Sequence, residues 1–452
     1  MPRLITAAAL LVLLELASAG QTHAQPGTSA ATPFPETSAG RAMRRITFAA
    51  IDCIKGDFAC PDDAFTTSGL FDNGTYQDTR LNYGGDLSQG DVSNSLLLLI
   101  LTQSQTFPNP STASGFTFRI GSLVPVRESE LYGPLFGERA LTNGRKQLSV
   151  SFNINQLRFR SIDGSSIRNG ERGLLWGDTN YDSAGGGYVG ICRMNIDTTI
   201  AFAAATYGLL ESLDVSVAVP WVRTSVEGSN EYLDYQFKDG AFVPTADGSL
   251  FTFTPQGRYF VEGSSSGIGD VAIGAKYAFV RRPDAGAAVT VRSSLPTGSL
   301  DDMTGTGEYQ TSIGFIGSFE KAGVSPHLNI SYLAAGGDLF NELNYTLGLS
   351  YRLIPRRLTV GGELVARRIF DVTEFTSGVQ VGVLESPITH ELFAVRDFKA
   401  EERDINLFFY ALGGKLRLTG GLLATIYAVV PAGQSGLQVQ RPTFNLGLNY
   451  AF

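Results

Sequence analysis

From residue 147 onward, apolar and polar side chains alternate with a period of two. That period belongs to strands whose two faces meet different surroundings. In 147–160, Leu148, Val150, Phe152 and Ile154 alternate with Ser149, Ser151, Asn153 and Asn155. In 194–207 the apolar phase reads Met194, Ile196, Ile200 and Phe202, and in 213–222 it reads Leu213, Val215, Val217, Val219 and Trp221. The pattern recurs in 269–280, 287–295, 309–320, 324–333, 342–353, 357–369, 403–412 and 415–430, and ends in 443–452 with Phe444, Leu446, Leu448 and Tyr450. Twelve strands are predicted.

The connections separate a membrane barrel from a soluble sandwich, which also alternates. Short links at 208–212, 281–286, 321–323, 354–356 and 413–414 take turns with longer ones, such as 161–193, 223–268 and 370–402. Tight turns at one rim and long loops at the other are the asymmetry of a transmembrane β-barrel, and an even strand number fits it. In lipid every backbone N–H and C=O needs an internal partner, so a spanning sheet must close on itself. The reading is an all-β chain: a closed antiparallel transmembrane barrel of about 12 strands (range about 10–14) over 147–452. Tyr277, Tyr345, Tyr351 and Tyr450 fall on the apolar phase, where interfacial aromatic girdles are expected.

Composition agrees. Charged residues make up 17% of the 452, against roughly 25% in soluble domains. A helical membrane protein would need apolar runs of about 20 residues, and none follows the N-terminus. The net charge of −8 removes a general basic surface, and with it nucleic acid, as a partner.

Residues 1–24 read as a secretory signal peptide: Arg3, an apolar stretch from Leu4 to Leu16, then small-residue cleavage sites at Ala17-Ser18-Ala19 and Thr22-His23-Ala24. Residues 25–146 do not alternate. A Pro/Thr/Ser/Ala stretch at 25–40 reads as a linker, and the remainder as a plug inside the barrel or a periplasmic extension below it. In an oxidising compartment Cys53 and Cys60 are expected to close a small disulfide loop, leaving Cys192 over. With three histidines in the chain and no Cys/His cluster, no metal site is expected.

The chain ends Asn445-Leu-Gly447-Leu-Asn-Tyr450-Ala-Phe452. This resembles the C-terminal β-signal of bacterial outer-membrane proteins, which implies recognition of Asn445, Gly447, Tyr450 and Phe452 by the barrel-assembly machinery. Within the barrel, SGIGDVAIGAKYAF (266–279), LPTG (295–298) and GTG (305–307) resemble the outer-membrane transporter family associated with meta-pathway phenol degradation. That resemblance covers roughly 195–452. It implies passage or binding of small molecules, hydrophobic or aromatic ones among them, across the bacterial outer membrane.

No catalytic set emerges. Gly263-Ser-Ser-Ser-Gly267 matches G-x-S-x-G formally, but a nucleophile elbow needs a strand before it and a helix after it; a loop followed by a strand is expected here. A lipid hydrolase would need a Ser-His pair on the apolar phase, and His327 falls on the polar one. Asp301-Asp302 and Glu401-Glu402 fall in expected external loops. No enzyme activity and no cofactor is expected. The polar phase carries Lys276, Arg292, Glu320, His327, Arg352, Glu363, Arg367 and Arg417. Such residues fill a narrow lumen as ion pairs or line a wider one and set selectivity. The expected partners are outer-membrane lipid and lipopolysaccharide, the assembly machinery and a small-molecule solute. A structural or adhesion barrel is the alternative, and a lipid hydrolase ranks behind it.

Overall fold

The computed structural model describes residues 38–48, 99–103, 118–119, 126–127, 131–162, 164–168, 186–238, 241–244, 258–282, 284–337, 339–385, 392–419, 421–439 and 442–451. The expected signal peptide, Cys53, Cys60 and Phe452 lie outside them, as does the side chain of Cys192.

The main strands are β1 (Leu148–Ile162), β2 (Gly186–Leu210), β3 (Leu213–Lys238), β4 (Arg258–Ile268), β5 (Ala272–Arg281), β6 (Ala285–Ser294) and β7 (Gln310–Phe319). They continue with β8 (Val324–Ala335), β9 (Glu342–Ile354), β10 (Leu358–Glu385), β11 (Leu392–Thr419), β12 (Leu422–Pro431) and β13 (Thr443–Ala451). Each pairs antiparallel with its neighbours. β4 and β5 both lie along β3 and form one stave broken at 269–271, so the wall has twelve staves. β13 returns to pair with β1, Asn445 opposite Asn155 and Ala451 opposite Ser149, and the sheet is closed.

The expected alternation holds across the lipid band. Val150, Phe152, Val217, Val219, Phe315, Leu349 and Leu446 point outward and are exposed, while Ser149, Ser151, Asn153, Ser325 and Asn445 point inward and are buried. Tyr207, Tyr277 and Tyr351 stand exposed close to the tight-turn rim. The turns suit their strands: Ala322 and Gly323, at φ 53° and 82°, join β7 to β8 with the left-handed pair that matches strand twist.

Several expectations are corrected. The turn expected at 413–414 lies further on, between the end of β11 at Thr419 and the start of β12 at Leu422, and Gly413 and Gly414 are interior positions of β11. Gly413 faces Tyr427, where a Cβ would stand 2.4 Å from the tyrosine Cβ; this glycine makes room for a neighbour rather than a turn. In 194–207 the apolar side chains point inward: Met194, Ile196 and Ile200 are fully buried, and the outward face carries Arg193, Asn195 and Asp197.

The second correction reflects strand length. About 9–11 residues suffice to cross a bilayer. Strands β6 to β9 have 10, 10, 12 and 13, whereas β2, β3, β10 and β11 have 25, 26, 28 and 28. Much of the expected long loops at 223–268 and 370–402 is therefore strand, and Glu401 and Glu402 lie on β11. Beyond the lipid the pattern inverts, because water now lies outside and protein inside. Leu157, Phe159, Ile196, Val226, Ile369 and Leu407 point inward there and form one apolar cluster.

That cluster is completed by chain from before the barrel. Helix α1 (Ala39–Phe48) places Ala39, Ala42 and Met43 against it, and the short helix at 99–103 adds Leu99, Ile100 and Leu101. Ser38 caps α1, its Oγ accepting the N–H of Arg41 at 3.4 Å.

Candidate functional site

Residues 131–143, immediately before β1, form a belt on the inner wall near the tight-turn rim. The N–H of Tyr132 donates to Thr359 Oγ1 at 3.0 Å on β10. The next contacts converge on one carboxylate: the N–H groups of Leu135, Phe136 and Gly137 all donate to Glu363. Three consecutive amides aimed at one buried carboxylate stabilise its charge by hydrogen bonds. Glu138 then meets Asn329 on β8, N–H to Oδ1 at 2.8 Å, with Asn329 Nδ2 returning to the Glu138 carbonyl at 3.2 Å. Ala140 reaches Ser318 on β7 at 3.2 Å. Finally the Asn143 N–H donates to both oxygens of Asp214 on β3, at 3.1 and 3.0 Å. The belt thus touches β10, β8, β7 and β3 in turn before becoming β1.

The eight residues read from the polar phase occupy three levels. Glu363 holds the belt, and His327 packs beside it, Nε2 at 3.4 Å from Glu363 Oε1. Gly137 and Gly348 both pass so close to the imidazole that neither could carry a Cβ without displacing it. Lys276 donates to the Arg139 carbonyl at 3.3 Å and lies 3.8 Å from both Glu138 and Asp214. Arg292 meets Glu138 at 2.9 Å, and Glu320 pairs with Arg139. Higher up, Arg367 is paired in bidentate fashion with Glu342, at 2.8 and 3.3 Å, both side chains fully buried. Arg352 and Arg417 lie on the inward phase by the tight turns, half-buried.

Sequence reasoning named both members of the His327–Glu363 contact but only one member of each other pair. Asp214 was visible as a polar-phase position and Glu342 as the head of its segment, but Glu138 and Arg139 lie in a stretch without alternation. Nothing local marks a belt whose partners are far away in the chain.

The residues that carried the family resemblance form one structure. Asp270, in the break between β4 and β5, is buried and accepts the N–H of Gly298 at 2.9 Å and both the N–H and Oγ1–H of Thr306 at 2.8 Å. Thr297 bridges the same break, its Oγ1 donating to the Gly269 carbonyl at 2.7 Å and accepting the Val271 N–H at 2.9 Å. Gly298 and Gly305 pass backbone against backbone, and a Cβ on Gly298 would stand 2.4 Å from Gly305 Cα. Thus GIGD, LPTG and GTG fold the connection 295–309 back on the wall, with Met303 and Thr304 buried. α1 sits against this connection: Ser38 Oγ donates to the Asp301 carbonyl at 3.1 Å, and the Ala39 N–H to Ser265 Oγ at 2.8 Å.

Between belt and inward connection lies a cavity of about 310 Å³. Its wall carries the hydroxyls of Ser216, Thr290, Ser312 and Ser331, the rings of Phe136 and Phe202, and the charged groups of Lys276, Arg292 and Arg367. Each of these three cations has its carboxylate.

Gly263–Gly267, expected as a loop, is part of β4, and Ser265 Oγ accepts the Ala39 N–H of α1. His327 faces inward, as its phase predicted. Among the described residues no group of His, Cys, Asp and Glu could hold a metal. At the C-terminus, Asn445 and Asn449 point into the seam, Tyr450 points outward, and Gly447 faces Asn153, whose Oδ1 would lie 2.0 Å from a Cβ there.

Residues 177–372 match the profile of the family described as "Putative MetA-pathway of phenol degradation", which bears out the resemblance read from the glycine-rich motifs. Among solved structures, an outer-membrane channel from Pseudomonas putida F1 is similar at 10% identity and a TM-score of 0.42, covering 70% of this chain and 98% of that one. The KdgM porin (8% identity, TM-score 0.29, 66% and 99% covered) and a FadL homologue of Pseudomonas aeruginosa (10%, 0.26, 73% and 94%) are also similar. At these scores the likeness carries no inference about a solute. Among curated protein sequences none matches this chain.

Proposed function

We propose that this chain is a channel of the bacterial outer membrane, passing small solutes through a lumen narrowed by its own N-terminal residues. The observation that carries this reading is the cavity of about 310 Å³ held open between the belt and the inward connection. Its paired charges give the path a fixed field without a net preference for one ion sign, while its hydroxyls offer hydrogen bonds. The Phe136 and Phe202 rings, and the family description, favour small aromatic solutes such as phenols. Delivery to the membrane through a signal peptide, and insertion through the C-terminal motif, belong to the same reading.

Reconstitution tests it. Purified protein in planar bilayers should show small discrete conductance steps, and in liposomes it should admit phenol and small neutral sugars. Absence of both conductance and flux would remove the channel reading. It would favour a second one, in which the tall walls of β2, β3, β10 and β11 present a binding surface for partners outside the cell.

A further inference from the structure

The outer face of β1 to β4 changes character in one step. Strand register aligns Ile154, Ala201, Trp221 and Ile268 in a single outward row. It is the last apolar row, and its tryptophan marks the level where aromatic side chains meet headgroups. The next outward row is Gln156, Thr199, Arg223 and Ser266, and the one beyond is Arg158, Asp197, Ser225 and Ser264. Successive rows are about 7 Å apart along the strands, so both lie at headgroup height at the long-connection rim.

These two rows consist of hydrogen-bond donors with one acid among them. Asp197 is already committed, to Arg160 at 3.1 Å. Arg158 and Arg223 make no ion pair among the described residues, and Arg158 is exposed. Glu227 and Glu262 stand a further row out, beyond the two arginines. Two guanidinium groups flanking β2, amid Gln, Thr and Ser side chains, suit a phosphate, whose oxygens accept bidentate pairs from arginine.

We propose that Arg158 and Arg223 form a docking surface for a phosphorylated glycolipid of the outer leaflet. The acyl chains lie along Phe152, Val219 and Trp221 while the phosphate sits on the arginines. This surface is separate from the lumen, so conduction and lipid binding stand or fall independently.

The full-length protein, purified in detergent, is exposed to bisphosphorylated lipid A, to the same lipid after dephosphorylation, and to inorganic phosphate alone. Retention is read by native mass spectrometry. The phosphorylated lipid should be retained and the other two should not. Each of Arg158→Gln and Arg223→Gln should weaken retention about tenfold, with heat-dependent gel migration reporting an intact barrel. Should a glutamine variant fail to fold, Arg158→Lys and Arg223→Lys keep the charge, lose the fork and should weaken retention less. Equal retention of the dephosphorylated lipid, unchanged retention by folded variants, or equal binding of phosphate alone would overturn the proposal.

Discussion

A single carboxylate fixes the belt. Glu363 is buried and accepts three consecutive backbone N–H groups, so replacing it by Ala leaves three buried donors without their anion. Losing hydrogen bonds to a charged group costs about 1.5–3 kcal/mol each when isolated; several kcal/mol in all is expected here. Glu363→Ala should therefore release residues 131–143 to added protease at concentrations that leave the native belt uncut, while the barrel keeps its heat-dependent gel migration. A belt that stays protected would show that its other contacts suffice. Glycines at this scale act as absences: Gly447 admits the Asn153 amide and Gly413 admits Tyr427. The first was legible as a motif position and the second was read as a turn, because a glycine pair in sequence does not say whether it yields space or bends the chain.

The connection 295–309 is an element in its own right, held in place by Asp270. Asp270→Ala removes the acceptor for Gly298 and for Thr306, and the connection should swing away from the lumen. The expected outcome in planar bilayers is a conductance step larger than that of the unaltered protein; identical steps would show that this connection does not limit the path. The strands of the lipid band were legible in the sequence because hydrocarbon on one side and water on the other write a strict alternation. Once a strand rises past the lipid, that contrast ends. The inward Met194 and Ile196 obey a different contrast, and their segment read as the wrong face. The motifs GIGD, LPTG and GTG were visible as a resemblance, but their joint purpose depends on a contact across 28 to 36 residues.

Across the whole molecule the lumen holds two kinds of filling. Near the tight turns the belt is joined to the wall by hydrogen bonds and ion pairs; near the long connections α1 and residues 99–103 are joined to it by apolar contact and a few hydrogen bonds. Removing residues 38–103 should leave the sheet closed, since β1 to β13 pair without them, and should raise conductance by uncovering the apolar inner wall. Unfolding of that variant would instead show that the upper strands need their filling to stand.

The belt also sets an order in time. Its hydrogen-bond partners lie 71 residues ahead at Asp214, 137 at Lys276, 191 at Asn329 and 226 to 228 at Glu363. None of these bonds can form until the later strand is made, and the sheet itself closes only when β13, the last strand, meets β1. Contacts of such sequence separation delay folding, because the entropy of closing each loop is lost before any bond repays it. The belt, made before any strand of the wall, is thus among the last parts to find its place, and the interior and the wall become native in one late event.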